Sequence, residues 1–307
     1  MSESFKKTYP FNIISIKDLG RKEIESILDD ASRIADGLYP DNALNGKILA
    51  LLFFEPSTRT RMSFEAAMAR LGGRSINLDS IEASSLAKGE TLADTIRVVS
   101  GYADIIVLRH PSEGAARLAS EFARVPVINA GDGAGQHPSQ TLLDLYTIKQ
   151  AMPIDKIDIG LLGDLRYGRT AHSLAYALSL FNARIHTLSP RGLELPDSIL
   201  NELEENGTEV IPHEEINEVI PLLDVLYVTR LQRERFPDSA SYVNIAKNFR
   251  ITPEILESAK DHLILLHPLP RVDEIDPQVD ELPCAKYFEQ SKNGVPVRMA
   301  MLMEMFR

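Results

Sequence analysis

The sequence predicts an α/β protein of two domains, each a mainly parallel sheet flanked by helices, with the C-terminal helix returning to the first domain. Three observations carry this expectation. The chain has 307 residues, about twice the usual size of one domain. Short apolar runs alternate with helical periodicity along it, the pattern of parallel strands covered on both faces. The alternation breaks once, at Gly131-Asp132-Gly133-Ala134-Gly135, and then resumes as a second series.

From Ser15 onward, Leu19, Ile24, Ile27, Leu28, Ala31, Ile34 and Leu38 recur mostly at three- and four-residue steps, which predicts a first helix ended by Gly37 and Pro40. A strand over 47–54 runs straight into a helix beginning near Ser57. A strand over 104–108, a helix over 113–122 and a strand over 126–128 follow. After the glycine-rich segment, a helix over 138–152 leads into a second series with strands over 157–162, 185–188, 225–228 and 263–266. The final helix, about 297–306, is too short to be a domain and is expected to pack on the first one. The expected boundaries are a first domain over 1–134 with 292–307, a connecting helix over 135–150, and a second domain over 151–291.

Composition narrows the function classes. Hydrophobic residues are 44% and charged residues 25% of the chain, the balance of a soluble globular protein. No apolar run approaches the ~18 residues of a membrane span. Met1 to Pro10 is polar and lacks the apolar core of a signal peptide, so a cytoplasmic protein is expected. The only cysteine, Cys284, excludes an internal disulfide and a cysteine-cluster metal site within the chain. A net charge of -11 disfavours nonspecific binding to nucleic acid or to an anionic membrane. An anionic ligand would therefore need cationic side chains gathered at one place.

Several strand-end and loop segments carry candidate chemistry. Ser57-Thr58-Arg59-Thr60 sets hydroxyls, backbone N–H groups and a guanidinium at a helix N-terminus, where the helix dipole favours an anion such as phosphate. The plainer alternative is an N-cap at Ser57 followed by solvated arginines. Arg109-His110-Pro111 stands at the carboxyl end of a predicted parallel strand, where open α/β sheets bind ligands, although such an arginine also makes ordinary ion pairs. His137 and Gln140, three residues apart at a loop-to-helix junction, can face the same helix end. Gly163-Asp164-Leu165-Arg166-Tyr167-Gly168-Arg169-Thr170 nearly matches a P-loop, but Arg169 stands where the lysine should be. The glycines at 160, 163 and 168 also have the wrong spacing for a dinucleotide, which argues against nucleotide binding there. Lys88, Arg230 and their neighbours read in isolation as exposed loop side chains. The two prolines of His267-Pro268-Leu269-Pro270-Arg271 demand a stiff turn.

The string Glu55-Pro56-Ser57-Thr58-Arg59-Thr60-Arg61-Met62-Ser63-Phe64-Glu65 resembles the carbamoyl-phosphate loop of the aspartate/ornithine carbamoyltransferase family. Glu55 points to the aspartate branch, because ornithine-specific members usually carry lysine there. Ser84-Ser85-Leu86-Ala87-Lys88-Gly89-Glu90-Thr91-Leu92 resembles the loop that aspartate-specific members insert into a neighbouring subunit's site. The resemblance runs from about Phe11 to the final helix, with the motifs in the expected order.

The resemblance implies a role for each motif residue. Ser57, Thr58, Arg59 and Thr60 would bind the phosphate of carbamoyl phosphate, and Arg109 and His137 its carbonyl. Gln140, with a cis turn at Leu269-Pro270, would hold the carbamoyl amide. Ser84, Lys88, Arg169, Thr170, Arg230 and Gln232 would bind L-aspartate. Arg59, Thr60, Lys88, Arg109 and His137 are implied as the catalytic set, with His137 a neutral hydrogen-bond donor and the departing phosphate taking the amine proton. Domain closure would accompany catalysis. No cofactor or metal is implied. The family also implies a homotrimer with sites shared between chains, and His110 to Glu121 resembles members that assemble with a zinc-binding regulatory chain. Two rivals stay open: an ornithine carbamoyltransferase, disfavoured by Glu55 and by a cysteine-free Pro268-Leu269-Pro270, and a catalytically silent scaffold, disfavoured by intact Arg59, Lys88, Arg109 and His137.

Overall fold

A computed structural model describes residues 11–78, 89–231 and 249–306. Its helices are α1 (Arg21–Ala35), α2 (Thr58–Arg70), α3 (Leu92–Val99), α4 (Ala115–Phe122), α5 (Pro138–Ala151), α6 (Arg169–Ser179), α7 (Asp197–Glu205), α8 (Ile216–Val219), α9 (Pro253–Leu256) and α10 (Tyr287–Glu304). The strands are β1 (Ile48–Phe53), β2 (Arg74–Leu78), β3 (Ile105–His110), β4 (Val127–Asp132), β5 (Asp158–Leu162), β6 (Arg184–Leu188), β7 (Val210–Pro212), β8 (Val225–Val228) and β9 (Ile264–Leu266). The chain divides into two compact units. One takes residues up to Asp18, Asp29–Ser139 and residues from Val295 onward; the other takes Leu19–Leu28 and Gln140–Gly294. The two-domain α/β architecture foreseen from the sequence is the one observed.

The first unit contains a four-stranded parallel sheet in the order β2-β1-β3-β4. Leu49 to Phe53 of β1 are all buried, as a strand covered on both faces must be, and so it reads as one continuous apolar run. Each such side chain contributes about 1.5–3 kcal/mol on burial, which makes the central strands the anchors of the unit. The second unit contains a five-stranded parallel sheet in the order β7-β6-β5-β8-β9, with β5 buried throughout.

Both sheets reverse their strand order beside one central strand. After β1 the chain adds β2 on one side and β3 on the other; after β5 it adds β6 on one side and β8 on the other. Open α/β sheets bind ligands at the carboxyl ends of the strands at such a reversal. The amino ends are tied by aspartates instead. Asp104 accepts the Ile48 N–H at the start of β1 (2.9 Å), and Asp224 accepts the Asp158 N–H at the start of β5 (2.8 Å).

Local departures from expectation have physical causes. The first helix begins at Arg21, not Ser15, because Ile16–Asp18 forms a separate 3-10 turn in which the Ser15 N–H donates to the Asp18 carboxylate at 3.2 Å. β4 continues through Gly131 and Asp132, so those residues end a strand rather than break the pattern. The last helix starts at Tyr287, about ten residues earlier than expected, and runs through Gly294 and Pro296. Its first turns are held by tertiary contacts that local propensity does not register: Asn293 Nδ2 donates to Thr147 Oγ1 at 3.1 Å and to Gln150 Oε1 at 2.7 Å. Among the described residues, no helix is long and apolar enough to cross a membrane.

Candidate active site

At the carboxyl edge of the first sheet, Phe53 of β1 lies in register with Arg109 of β3, and the Phe54 N–H donates to the Arg109 carbonyl at 2.9 Å. The strand therefore delivers Glu55-Pro56-Ser57 to the order reversal beside Arg109. Ser57 caps α2 in an extended conformation (φ -159°, ψ 98°), but its side chain makes no capping bond. Ser57 is therefore the N-cap by position, as the plainer reading has it, but its hydroxyl is not used in a capping bond. Phe53, Glu55, Pro56, Ser57, Thr58 and Arg61 line an open cleft of about 210 Å³ in front of the helix. Thr60 is buried, while Arg59 is exposed as a residue with its guanidinium partly desolvated, which lowers its pKa. An arginine stays cationic under such a shift, and a less hydrated cation attracts an anion more strongly.

Arg109 is held from two sides. Its Nη1 donates to the Ala130 carbonyl at 3.2 Å, and the Glu55 carboxylate lies 3.3 Å from its Nε. Glu55 therefore sits against the one cationic side chain of β3, at the carboxyl end of the sheet. This pair is a feature that sequence reading missed, although the expectation of adjacent parallel strands ending at 54 and 108 could have suggested it.

The loop leading to His137 is built around Asp132. Its carboxylate accepts the Gly114 N–H (2.9 Å), the Gln136 N–H (3.0 Å) and Asn129 Nδ2 (2.9 Å). Gly133 has φ +51° with its backbone pressed on residue 113, where an added Cβ would lie 2.7 Å from the Glu113 nitrogen. These contacts fix the entry to α5. His137 is buried there, with Nδ1 3.3 Å from the Ser139 hydroxyl.

In the second unit, β5 ends at Leu162 in register with Val228 of β8, so the loops after 162 and 228 leave from adjacent strand ends. The Thr229 hydroxyl donates to the Leu162 carbonyl at 3.0 Å. Within the loop after β5, the Asp164 carboxylate accepts the Tyr167 N–H at 3.1 Å, and the His172 Nε2–H donates to the Leu165 carbonyl at 2.6 Å. A P-loop offers its amides to phosphate; here the loop's own acid takes one, in keeping with the case against nucleotide binding. Arg169 and Thr170 are the first two residues of α6, and Arg230 is exposed on the loop after β8. Tyr227 aligns with Leu266 at the end of β9, which brings in the turn 267–271 from the third neighbouring strand. Leu269-Pro270 is cis, as the resemblance implied. Gln140, in the first turn of α5, donates through Nε2 to the buried Asp144 carboxylate at 2.8 Å.

The structure thus gathers Ser57 to Thr60 with Arg109 at one order reversal, and Arg169, Thr170, Arg230, Leu269 and Pro270 around the other. Ser84, Lys88 and Gln232 lie outside the described residues. Among the described residues, no group of three His, Cys, Asp or Glu side chains is arranged to hold a metal ion.

The family models for the aspartate/ornithine carbamoyltransferase carbamoyl-P binding domain and Asp/Orn binding domain match residues 12–150 and 155–305. The chain is 71% identical over 293 residues to the aspartate carbamoyltransferase catalytic subunit of Methanosphaerula palustris, covering 95% of this chain and 98% of that one. It resembles the solved catalytic subunit of M. jannaschii aspartate transcarbamoylase at 55% identity and a TM-score of 0.90, covering 96% and 97% of the two chains. The Trypanosoma cruzi aspartate transcarbamoylase in complex with carbamoyl phosphate and aspartate is similar at 40% identity and a TM-score of 0.89, covering 95% and 94%.

Proposed function

The chain belongs to the aspartate/ornithine carbamoyltransferase family, and from that premise we infer that it transfers the carbamoyl group of carbamoyl phosphate to the α-amine of L-aspartate. The products are N-carbamoyl-L-aspartate and phosphate, as in pyrimidine synthesis. The observation that supports this reading is that the segments leaving both strand-order reversals carry arginines, Arg59 and Arg109 in the first unit and Arg169 and Arg230 in the second. A protein of net charge -11 that takes two anionic substrates needs such local concentrations of cation.

In the proposed mechanism, Ser57, Thr58, Arg59 and Thr60 hold the phosphate. Arg169, Thr170, Arg230 and Gln232 hold the aspartate, planar guanidinium groups being suited to carboxylates through paired hydrogen bonds. The amine nitrogen attacks the carbamoyl carbon, and Thr60, Arg109 and His137 stabilise the oxyanion of the tetrahedral intermediate. Gln140 and the carbonyls of the Leu269-Pro270 turn orient the carbamoyl NH2. The C–O bond to phosphate then breaks, and the departing phosphate takes the amine proton. Positioning and electrostatic stabilisation are enough for this reaction, without a general base on the protein. Acceptor competition tests the assignment. With carbamoyl phosphate and equal L-aspartate and L-ornithine, carbamoyl-aspartate is the expected product, and citrulline as the main product would overturn the aspartate reading.

We further propose a cytoplasmic homotrimer in which Lys88 and Ser84 act in a neighbouring chain's site, with the segment 110–121 as the docking place of a zinc-binding regulatory chain. Mixing inactive Lys88→Ala and Arg59→Ala chains, then reassembling them, should restore part of the activity. No recovery in the mixed assemblies would contradict the sharing of sites.

A further inference from the structure

Asp144 lies one helical turn beyond Gln140 on α5 and is fully buried. Its Oδ1 accepts Gln140 Nε2 at 2.8 Å and Gln290 Nε2 at 2.6 Å, and its Oδ2 accepts the Tyr227 hydroxyl at 2.9 Å. Each of these three donors leads to a different substrate contact in the mechanism above. Gln140 is itself the residue assigned to the carbamoyl amide.

Gln290 leads to the cis turn. Its Oε1 accepts the His267 N–H at 2.8 Å, and His267 Nδ1 in turn accepts the Leu269 N–H at 2.8 Å. A backbone amide can only donate, so Nδ1 is the acceptor and the ring proton of neutral His267 is on Nε2. That proton is given to Glu274 at 2.8 Å. Burial raises the Glu274 pKa, but the bond from His267 and the backbone amides outweigh it and hold the group below its usual range, so it stays an acceptor. The turn that presents Leu269 is thereby wired to α5 through buried groups only, His267 and Gln290 each being about 1% exposed.

Tyr227 leads to the aspartate side. Its hydroxyl donates to Asp144 and is hydrogen-bonded by the side chain of Thr170, the second residue of α6. Burial and the adjacent Asp144 charge keep the phenol protonated, since both disfavour phenolate. The donor direction along this branch is therefore set: Thr170 to Tyr227 to Asp144.

We propose that Asp144 is a positioning residue for both substrates, whose single carboxylate orients the Gln140 amide, the turn that presents Leu269, and the Thr170 hydroxyl. The inference rests on the site assignment given above. Its chemical basis is that an ionised carboxylate only accepts, whereas an asparagine of the same shape must turn an N–H toward one of the donors. With that N–H facing Tyr227, the phenol accepts from the amide and its own proton loses its acceptor, so either the bond with Thr170 reverses or a buried proton is left unpaired. With it facing the glutamines, Gln140 and the turn lose their anchor.

The test is steady-state kinetics of the intact chain in its own assembly, with thermal melting of every variant. Asp144→Asn should raise the KM for both substrates and lower kcat. Tyr227→Phe, which cuts only the Thr170 branch, should raise the aspartate KM about two- to tenfold, the effect of one hydrogen bond, with the carbamoyl-phosphate KM unchanged. Should Asp144→Asn fail to fold, the Tyr227→Phe split decides the matter alone. A lower melting temperature for Asp144→Asn with unchanged kinetic constants overturns the proposal. So does a Tyr227→Phe variant that changes neither KM or both equally. Thr170→Val separates the two levels of inference. If it leaves the aspartate KM unchanged, the site assignment fails and this proposal with it; if it raises the KM and Tyr227→Phe does not, the positioning role alone fails.

Discussion

Replacing Arg59 with alanine is expected to lower kcat/KM for carbamoyl phosphate about 10²–10³-fold without unfolding the protein, the range seen when one aimed electrostatic group is removed. The expectation follows from where the side chain stands. Arg59 is in the first turn of α2, beside a Ser57 whose side chain is not spent on capping and a cleft of about 210 Å³ lined by Thr58 and Arg61. It is an exposed residue, so its removal leaves no cavity in the core and the stability change should stay within about 0.5 kcal/mol. An effect on rate with an unchanged melting temperature therefore separates a phosphate-gripping arginine from a merely solvated one. Arg59→Lys refines the reading: it restores the charge but not the planar fork, so it should recover only part of the loss.

Gly163→Ala should destabilise the protein by about 3 kcal/mol or more, read by urea denaturation. Gly163 is the residue where β5 leaves the sheet, at φ +116°, a conformation that side-chain-bearing residues rarely adopt. An added Cβ would lie 2.3 Å from the Thr229 carbonyl oxygen and 2.7 Å from its hydroxyl. Neither can yield cheaply, because the same hydroxyl is bonded to the Leu162 carbonyl and the strand ends are locked in register. Gly192→Ala is the matched comparison: it also has a positive φ (+86°), but no atom lies within 4 Å of the new Cβ. Strain alone should then appear, about 1 kcal/mol. Equal effects at the two sites would show that the close approach of β5 and β8 has no energetic weight. Where the Gly163 variant folds, the displaced loops should also raise the aspartate KM, because Arg169 and Arg230 follow these two strand ends.

The sequence disclosed seven of the nine strands, including the edge strands β4 and β9, and hid the edge strands β2 and β7. β1, β3, β5 and β8 are buried on both faces, and their apolar runs announce them. The edge strand β2, Arg-Ser-Ile-Asn-Leu, has no fully buried residue and therefore no apolar run, and the three-residue β7 is too short to give a pattern. The start of α10 was hidden for a different reason. Gly294 and Pro296 look like helix breakers, and the contacts that override them come from residues more than 140 positions away in the chain. Among the proposed site residues, Arg59, Arg109 and His137 were legible because a charged or imidazole group at a strand end or helix start is chemically conspicuous. Asp144 and Tyr227 were not, since a buried acid four residues after Gln140 and a tyrosine inside an apolar strand look like ordinary helix and core positions. Only the Gln-to-Asp spacing of one helical turn carried a signal.

The central claim is that one chain type carries out carbamoyl transfer to aspartate from a phosphate clamp at the β1-to-α2 junction. The most direct measurement follows phosphate and N-carbamoyl-L-aspartate together, in the purified protein supplied with carbamoyl phosphate and L-aspartate and in its Arg59→Ala variant. Equal amounts of the two products from the wild-type chain, with both nearly abolished in the variant, are the predicted result. Phosphate released without carbamoyl-aspartate, or an Arg59→Ala variant as fast as the wild type, would contradict it.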